Sequence, residues 1–333
     1  MPQPEPAAGA IYDIGYQHYD GKRLGRAGAV RALYFHGLRT VFGIGRGGRA
    51  KIPPIALIAI MVIPAVIQAA LAGLGNGQIQ VFTHEGYFRT TVWIFGLFCA
   101  FQTPELVTGD QQYRVLALYF SRAVLRSDYV LARVGALATA LFIVALLPHF
   151  VMLMGDYFAA EHVGEAIRKS LPMIPRILGA AFAIAVLLAT VSITISAIIR
   201  RRPFATAAIL ALFLLASAFV APLVMSRPDK MRYLVLASPM MVGDGLTTWV
   251  FDTTTVRPPV DTTEWVPLPP LAPGADSAAI AARRAEMRRR FRRRRPSVLE
   301  TANLPGVVYL ATTVGLILLG AGVLTLRYRS IET

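Results

Sequence analysis

Long apolar blocks separated by short charged ones set the pattern of this chain. Residues 55–74, 137–154, 177–199, 204–224 and 307–326 are apolar almost throughout. Each comes close to the ~20 residues that a helix needs to cross ~30 Å of hydrocarbon. A buried soluble core accounts for one such run but not for five. A sixth block, 87–107, has the apolar centre TVWIFGLFCAF and ends in Gln102, Thr103, Pro104 and Glu105. It reads as a span that leaves the bilayer near Gln102, with Phe88 and Trp93 close to an interface. A re-entrant or interfacial segment is the alternative. The expected fold is an all-α integral membrane protein with six transmembrane helices.

Composition agrees with that class. The chain is 55% hydrophobic and 16% charged, with mean hydropathy +0.53; a soluble domain carries about 25% charged residues. The formal net charge is +15. In a polytopic chain, basic residues mark the cytoplasmic flanks and meet anionic membrane lipids, so nucleic acid is not an expected partner. Residues 21–51 hold eight Lys/Arg and no acid, which puts the N-terminus in the cytoplasm. With six spans, loop 104–133 falls on the same side with Arg114, Arg122, Arg126 and Arg133. So do the turn at Arg200, Arg201 and Arg202 and the tail with Arg327 and Arg329. The outer loops 75–87 and 156–172 carry only Arg168 and Lys169.

One region disagrees. Residues 226–305 are outside by parity, yet 283–295 contains nine arginines. Either this long loop escapes the charge rule, or 233–251 is a seventh span. Pro239, Gly243 and Gly245 near the middle of 233–251 suit a broken, re-entrant hairpin better than a straight helix. The expected organisation is then a cytoplasmic segment with an interfacial helix (1–52), the first five spans (53–225), an outer hairpin with an Arg-rich insertion (226–305), and the last span with a cytoplasmic tail (306–333). Within the insertion, 252–275 reads as a Pro- and Thr-rich loop and 278–295 as a basic helix.

Candidate chemistry is sparse. The N-terminus lacks the apolar core of a signal peptide. Cys99 is the single cysteine, the five His are scattered, and no metal-binding spacing appears. Residues 43–48 match G-x-G-x-x-G, but a span rather than a βαβ unit comes next, so a basic hinge is expected. No P-loop motif occurs, so neither ATP nor magnesium is expected on this chain. Pro64 and Gln68 are expected to interrupt the first span, and Thr190, Ser192, Thr194 and Ser196 to join neighbouring helices. No charge inside a span marks an ion relay. Asp156, Glu161, His162 and Glu165 form the one cluster that a membrane-embedded lipid-modifying enzyme would use.

Two segments are patterned beyond this. In 24–44, Val30, Leu33, Tyr34, Leu38, Val41 and Phe42 share one helical face flanked by Arg31 and Arg39. Such a helix lies in the headgroup plane or packs as a cytoplasmic helix on the span bundle. In 104–133, Gly109-Asp110 is a candidate cap for a helix starting near Gln111, with Tyr113, Leu116, Phe120 and Val124 on one face. Ser127-Asp128 is a second candidate cap. The apolar stripe needs a partner.

These segments resemble one family. IYDIGYQHYDGKRLGR and VRALYFHGLRTVFGIGRGGRAK are similar to the N-terminal segment and interfacial helix of ABC-2-type ABC transporter permeases. PELVTGDQQYRVLALYFSRAVLRSDYVLAR resembles their first cytoplasmic loop, YLVLASPMMVGDGLTTWVF their outer re-entrant hairpin, and LRYRSIET their basic tails. The chain departs from the family's S-R-P loop motif at Ser121-Arg122-Ala123. The resemblance implies an exporter in a bacterial plasma membrane, built from two permease subunits as homodimer or heterodimer. ATP and magnesium would be bound by a separate ATPase subunit. It also implies that Asp110, Arg114, Tyr119, Arg122, Arg126, Asp128 and Tyr129 meet that ATPase, and that Arg31, Tyr34 and Arg39 belong to the interfacial helix. Replacing Arg122 and Asp128 by Ala would then uncouple hydrolysis from transport. A structural or sensory subunit that recruits a partner through the same loop is the competing reading.

Overall fold

The computed structural model describes residues 24–74, 81–121, 124–251 and 297–329. The expectations for 1–23, Arg122, the Pro-rich loop, the arginine run and residues 330–333 lie outside the described residues. Among the described residues all regular structure is helical. The helices are α1 (Gly25–Val41), α2 (Gly48–Leu74), α3 (His84–Thr103), α4 (Leu116–Phe120), α5 (Arg126–Ala159), α6 (Val163–Ser170), α7 (Met173–Ile198), α8 (Arg202–Ser226), α9 (Pro239–Val250), α10 (Val298–Ala302) and α11 (Gly306–Arg329). Five of them, α2, α5, α7, α8 and α11, are long and apolar enough to cross a membrane, which makes this a membrane protein.

These five and α3 pack side by side. Contacts at their ends fix their directions: α2, α5 and α8 begin, and α3, α7 and α11 end, at the end of the bundle where the arginines gather. We call this the basic end. α7 is the core helix, with 67% of its apolar window buried against 22% for α2 and for α11. The latter two leave Ile55, Ile60, Ile63, Ile67, Leu318 and Leu319 outward, the surface that hydrocarbon covers in a bilayer. Lipid tails are as apolar as leucine, so close backbone approach rather than apolar burial holds such helices together. Gly155 of α5 shows this: a Cβ there would lie 2.4 Å from the Ala69 Cβ and 2.5 Å from its Cα.

The structure corrects several local expectations. Pro64 and Gln68 do not interrupt α2, which is continuous. The Gln68 side chain instead accepts hydrogen bonds from the Val81 and Phe82 amides (2.9 and 3.2 Å). Thr190, Ser192 and Thr194 donate to carbonyls of their own helix, at Val186, Leu188 and Thr190. Their link to α11 is steric, because Gly320 sits where a Cβ would meet the Thr190 methyl at 2.7 Å. The amphipathic face of α1 lies on the bundle: Leu33 and Val41 are buried, and Tyr34 donates to Thr139 of α5 (3.0 Å). Arg31 and Arg39 stay exposed.

Residues 232–250 do not form one straight helix. A six-residue 3-10 helix, Arg232–Ala237, ends at the fully buried Ser238, which accepts the Met241 amide and bonds Ser217 of α8 (2.6 Å). The 12 residues of α9 cover about 18 Å, too short for a crossing. α9 carries a charge into the bundle. Asp244 meets Arg89 of α3 across 3.6 Å.

Candidate functional site: the α3–α5 loop at the basic end

The loop begins inside a helix. Pro104 has no N–H to offer and its ring crowds the preceding turn, so the helix widens to a π turn over Pro104–Thr108. It then continues through Gly109–Gln112 with Gly109 in ordinary helical conformation. The expected Gly109-Asp110 N-cap is therefore absent, because the helix never stopped. It stops at Tyr113 instead. The Arg114 amide bonds the Gln111 carbonyl (3.3 Å) and the Val115 amide the Asp110 carbonyl (3.1 Å), with Arg114 at φ 54°. That is a Schellman turn with arginine where glycine is usual.

Two clusters tie this loop to the helix ends. In the first, Arg202 at the start of α8 donates to both oxygens of Glu105 (2.9 Å each), and Arg46 of the α1–α2 hinge bonds the same carboxylate. The Arg202 guanidinium also lies 5.8 Å from the Tyr113 ring centre. Gly109 makes room for it, since a Cβ there would stand 2.8 Å from Nη2.

The second cluster is centred on Asp110. Its Oδ2 accepts from the Tyr129 hydroxyl (2.8 Å) and from Nη2 of Arg133 (2.5 Å). Tyr129 and Arg133 are each 1% exposed. Tyr328 of α11 meets the Tyr129 ring edge-on, at 5.2 Å between centres, and Tyr119 stacks on it. Burial, then the Asp110 charge, pushes the Tyr119 phenol above its ordinary pKa. Gln111 donates to the Ala197 carbonyl at the end of α7 (3.0 Å). At the far end of the loop Arg26 of α1 grips Asp128 with two hydrogen bonds (2.7 and 2.8 Å), which raises the Arg26 pKa further. Asp128 also accepts the Leu125 amide (3.0 Å). It thus caps α5 from its third position, one way in which a carboxylate serves a helix start.

The structure places the expected site residues unevenly. Asp110, Asp128 and Tyr129 are engaged inside the chain, and Tyr119 is half-buried. Arg126 lies over the Phe120 ring (5.9 Å). Arg114 is exposed. The stripe expected to need a partner is largely covered by the chain's own helices: Leu116 and Val124 are buried, the latter against Leu33 and Ala132. The outward apolar groups are Tyr113, Leu118 and Leu125, at 69%, 65% and 52% exposure. Sequence reasoning missed Arg26, Arg46, Glu105, Arg133, Arg202 and Tyr328 as parts of one site. Arg133, a cation just inside a long apolar helix, was the available signal.

The basic hinge proves to be a helix stop. Gly43 follows α1 at φ 68°, and its Ile44 neighbour bonds the Arg39 carbonyl (2.8 Å). A Cβ on Gly43 would stand 2.6 Å from the Ala50 carbonyl oxygen. At the other end of the bundle, Glu161, His162 and Glu165 sit exposed on and beside α6. Among the described residues no group of three or more His, Cys, Asp or Glu side chains is placed to hold a metal ion. No known protein-family model matches the chain, and no curated protein matches it in sequence.

Proposed function

We propose that this chain is the membrane subunit of an ABC-2-type ABC exporter, with the α3–α5 loop as the surface that meets a separate ATPase subunit. One observation carries the reading: the loop is braced against five helices and the α1–α2 hinge, and holds a strained arginine outward between exposed Tyr113 and Leu118. A load applied at Arg114 reaches α8 through Glu105 and Arg202, α5 through Asp110 and Arg133, and α11 through Tyr129 and Tyr328. Such a brace suits a lever driven by nucleotide-dependent motion of a partner.

In this reading α3 is a sixth span, because it runs between the same two ends of the bundle as the five apolar helices. Its Arg89 is tolerated through Asp244. The basic end faces the cytoplasm of a bacterial plasma membrane, where the positive-inside rule places it. The broken segment with α9 is a re-entrant hairpin at the outer side. Two such subunits pair, and the apolar spans suit a hydrophobic or amphipathic substrate moved outward.

The test is co-expression with a candidate ATPase subunit, followed by co-purification and measurement of ATP hydrolysis. The native chain should retain the ATPase and change its hydrolysis rate. Arg114→Glu and Leu118→Arg should release the ATPase while eluting as folded protein. If both variants retain an ATPase that the native chain retains, the loop is not the contact surface and the proposal fails.

A further inference from the structure

α6 is a short helix between two membrane-length helices, at the end of the bundle opposite the basic end. Val163, Ile167 and Leu171 recur at four-residue steps, so they line one face. Leu171 stays in the helical turn, because its amide bonds the Ile167 carbonyl (3.1 Å). The three residues are 48%, 42% and 55% exposed, and Phe158 ahead of the helix is 87% exposed. Glu165, Arg168 and Lys169 occupy the rest of the helix, with the acid in the first turn and the bases in the last, as the helix dipole favours. Against the described residues, no residue of α6 is buried. The Tyr157 and Ser170 hydroxyls are bonded (2.5 Å), which ties the last residue of α6 to α5.

Chain length fixes the height of this helix. The apolar block of α5 stops at residue 154 and α5 itself at Ala159, five residues or about 7.5 Å later. α7 begins at Met173, four residues or about 6 Å ahead of its apolar block at Ile177. A bilayer of ~40–45 Å with ~30 Å of hydrocarbon has a headgroup layer of ~5–8 Å on each face. Both connections to α6 therefore start in that layer. At three and two residues (160–162 and 171–172) they are too short to carry the helix clear of the membrane. Its eight residues cover about 12 Å, enough to reach from one packed helix to its neighbour and so to lie along the membrane surface. An amphipathic helix at that level buries its apolar face at the boundary of headgroups and acyl chains.

We propose that α6 seats the Val163, Ile167 and Leu171 stripe in the lipid leaflet at this end of the bundle, with Phe158 beside it. Lipid is the occupant that the position of the helix supplies without any further chain. Phe150 of α5 and Leu178 and Phe182 of α7 are exposed nearer the bilayer centre, so lipid-facing surface runs up to the level of α6. Charges of both signs on its polar side suit zwitterionic headgroups. The proposal rests on α5 and α7 crossing the membrane, and on no role in transport.

Cys99 is the single cysteine and is buried, so Cys99→Ser gives a background for single labels. The full chain with Cys99→Ser and one of Val163→Cys, Glu165→Cys, Ile167→Cys or Lys169→Cys is nitroxide-labelled and reconstituted in phosphatidylcholine vesicles. All four positions are exposed, so the labels need no room in the core. Power saturation compares collisions with oxygen, which concentrates in lipid, and with a water-soluble nickel chelate. The oxygen-to-nickel ratio should be severalfold higher at 163 and 167 than at 165 and 169. A ratio at 167 no higher than at 165 would overturn the proposal. So would a label at 167 screened from both reagents, which would mean that protein covers the stripe. Spin–spin broadening at 167 that disappears on dilution with unlabelled chain would make that protein a second copy. Ile167→Ser/Leu171→Ser should lower the ratio at 163 toward that at 165. An unchanged ratio there would mean that the stripe does not seat the helix, and the proposal fails.

Discussion

Asp110→Asn separates two roles for this residue that differ in cost. If Asp110 served a partner subunit, the isolated chain would lose little without its charge. In the structure, Asp110 is the acceptor for both Tyr129 and Arg133, and the Arg133 side chain is 1% exposed. The variant keeps the shape and an acceptor oxygen but leaves a buried guanidinium without its counter-charge. Breaking a buried pair in this way costs about 3–5 kcal/mol. The companion change is cheaper. Arg133→Met leaves Asp110 with its Tyr129 hydrogen bond and with 16% of its side chain in contact with solvent, a loss of about 1–3 kcal/mol. The double variant Asp110→Asn/Arg133→Met removes the stranded charge, so it should be more stable than Asp110→Asn alone by roughly 2 kcal/mol. Equilibrium unfolding of the four proteins in mixed micelles, followed by tryptophan fluorescence, measures the cycle. Additive losses, or an Asp110→Asn protein as stable as the native chain, would refute the assignment of Asp110 to an internal brace.

The same geometry sets three further outcomes. Arg114→Gly should raise stability by about 1 kcal/mol in the same unfolding assay, because the left-handed backbone suits glycine; in the proposed complex it should weaken ATPase retention. Gly155→Ala should lower stability by about 1–3 kcal/mol, since its Cβ meets α2 main-chain and Cβ atoms that cannot rotate away; Ala69→Gly in the same protein should recover part of the loss. Arg202→Lys keeps the charge, and a single ammonium can replace the Nη1 bonds to Glu105, but it gives up the planar guanidinium that lies over Tyr113. It should cost about 1–2 kcal/mol and loosen the loop, seen as faster amide exchange at Tyr113 to Leu116.

The long spans were legible because hydropathy and length decide them almost alone. The helix over 24–44 was legible too, although its apolar face could have met lipid or protein; Leu33 against Val124 and Ala132 decides for protein over part of that face. The loop was legible as an ordered segment but not in its pairing. Tyr129 and Tyr328 are far apart in sequence, and no local pattern brings them into contact. The Gly109-Asp110 cap failed for a local reason: a proline can widen a helix instead of ending it, and the residues after it then inherit helical geometry. Thr190, Ser192 and Thr194 of α7 spend their hydroxyls on the i−4 carbonyls, so Thr190 and Thr194 meet α11 by shape and not by hydrogen bonds. The pairing of Arg89 with Asp244 was not legible because each lies in a different segment of uncertain crossing.

Two turns of the same construction show where this fold serves itself and where it does not. α1 and the helical extension of α3 both end in a left-handed residue with the same pair of backbone hydrogen bonds. After α1 that residue is Gly43, and two requirements converge on it: the positive φ, and the Ala50 carbonyl oxygen 2.6 Å from any Cβ. After α3 the residue is Arg114, and neither requirement is met by its side chain. It points outward, adds a left-handed cost of about 1–2 kcal/mol, and stands beside Tyr113 and Leu118, which are the most exposed apolar groups of the loop. Everything beneath it is braced: Glu105 by two arginines, Asp110 by Tyr129 and Arg133. Strain held by an over-determined surround marks places where structure is shaped for something other than its own stability. Within the described fold a glycine at 114 would serve better. In the proposed complex the compensation for arginine would lie in what the loop tip touches outside the chain, which makes the tip, rather than the buried Asp110 or Tyr129, the surface on which to seek the partner subunit.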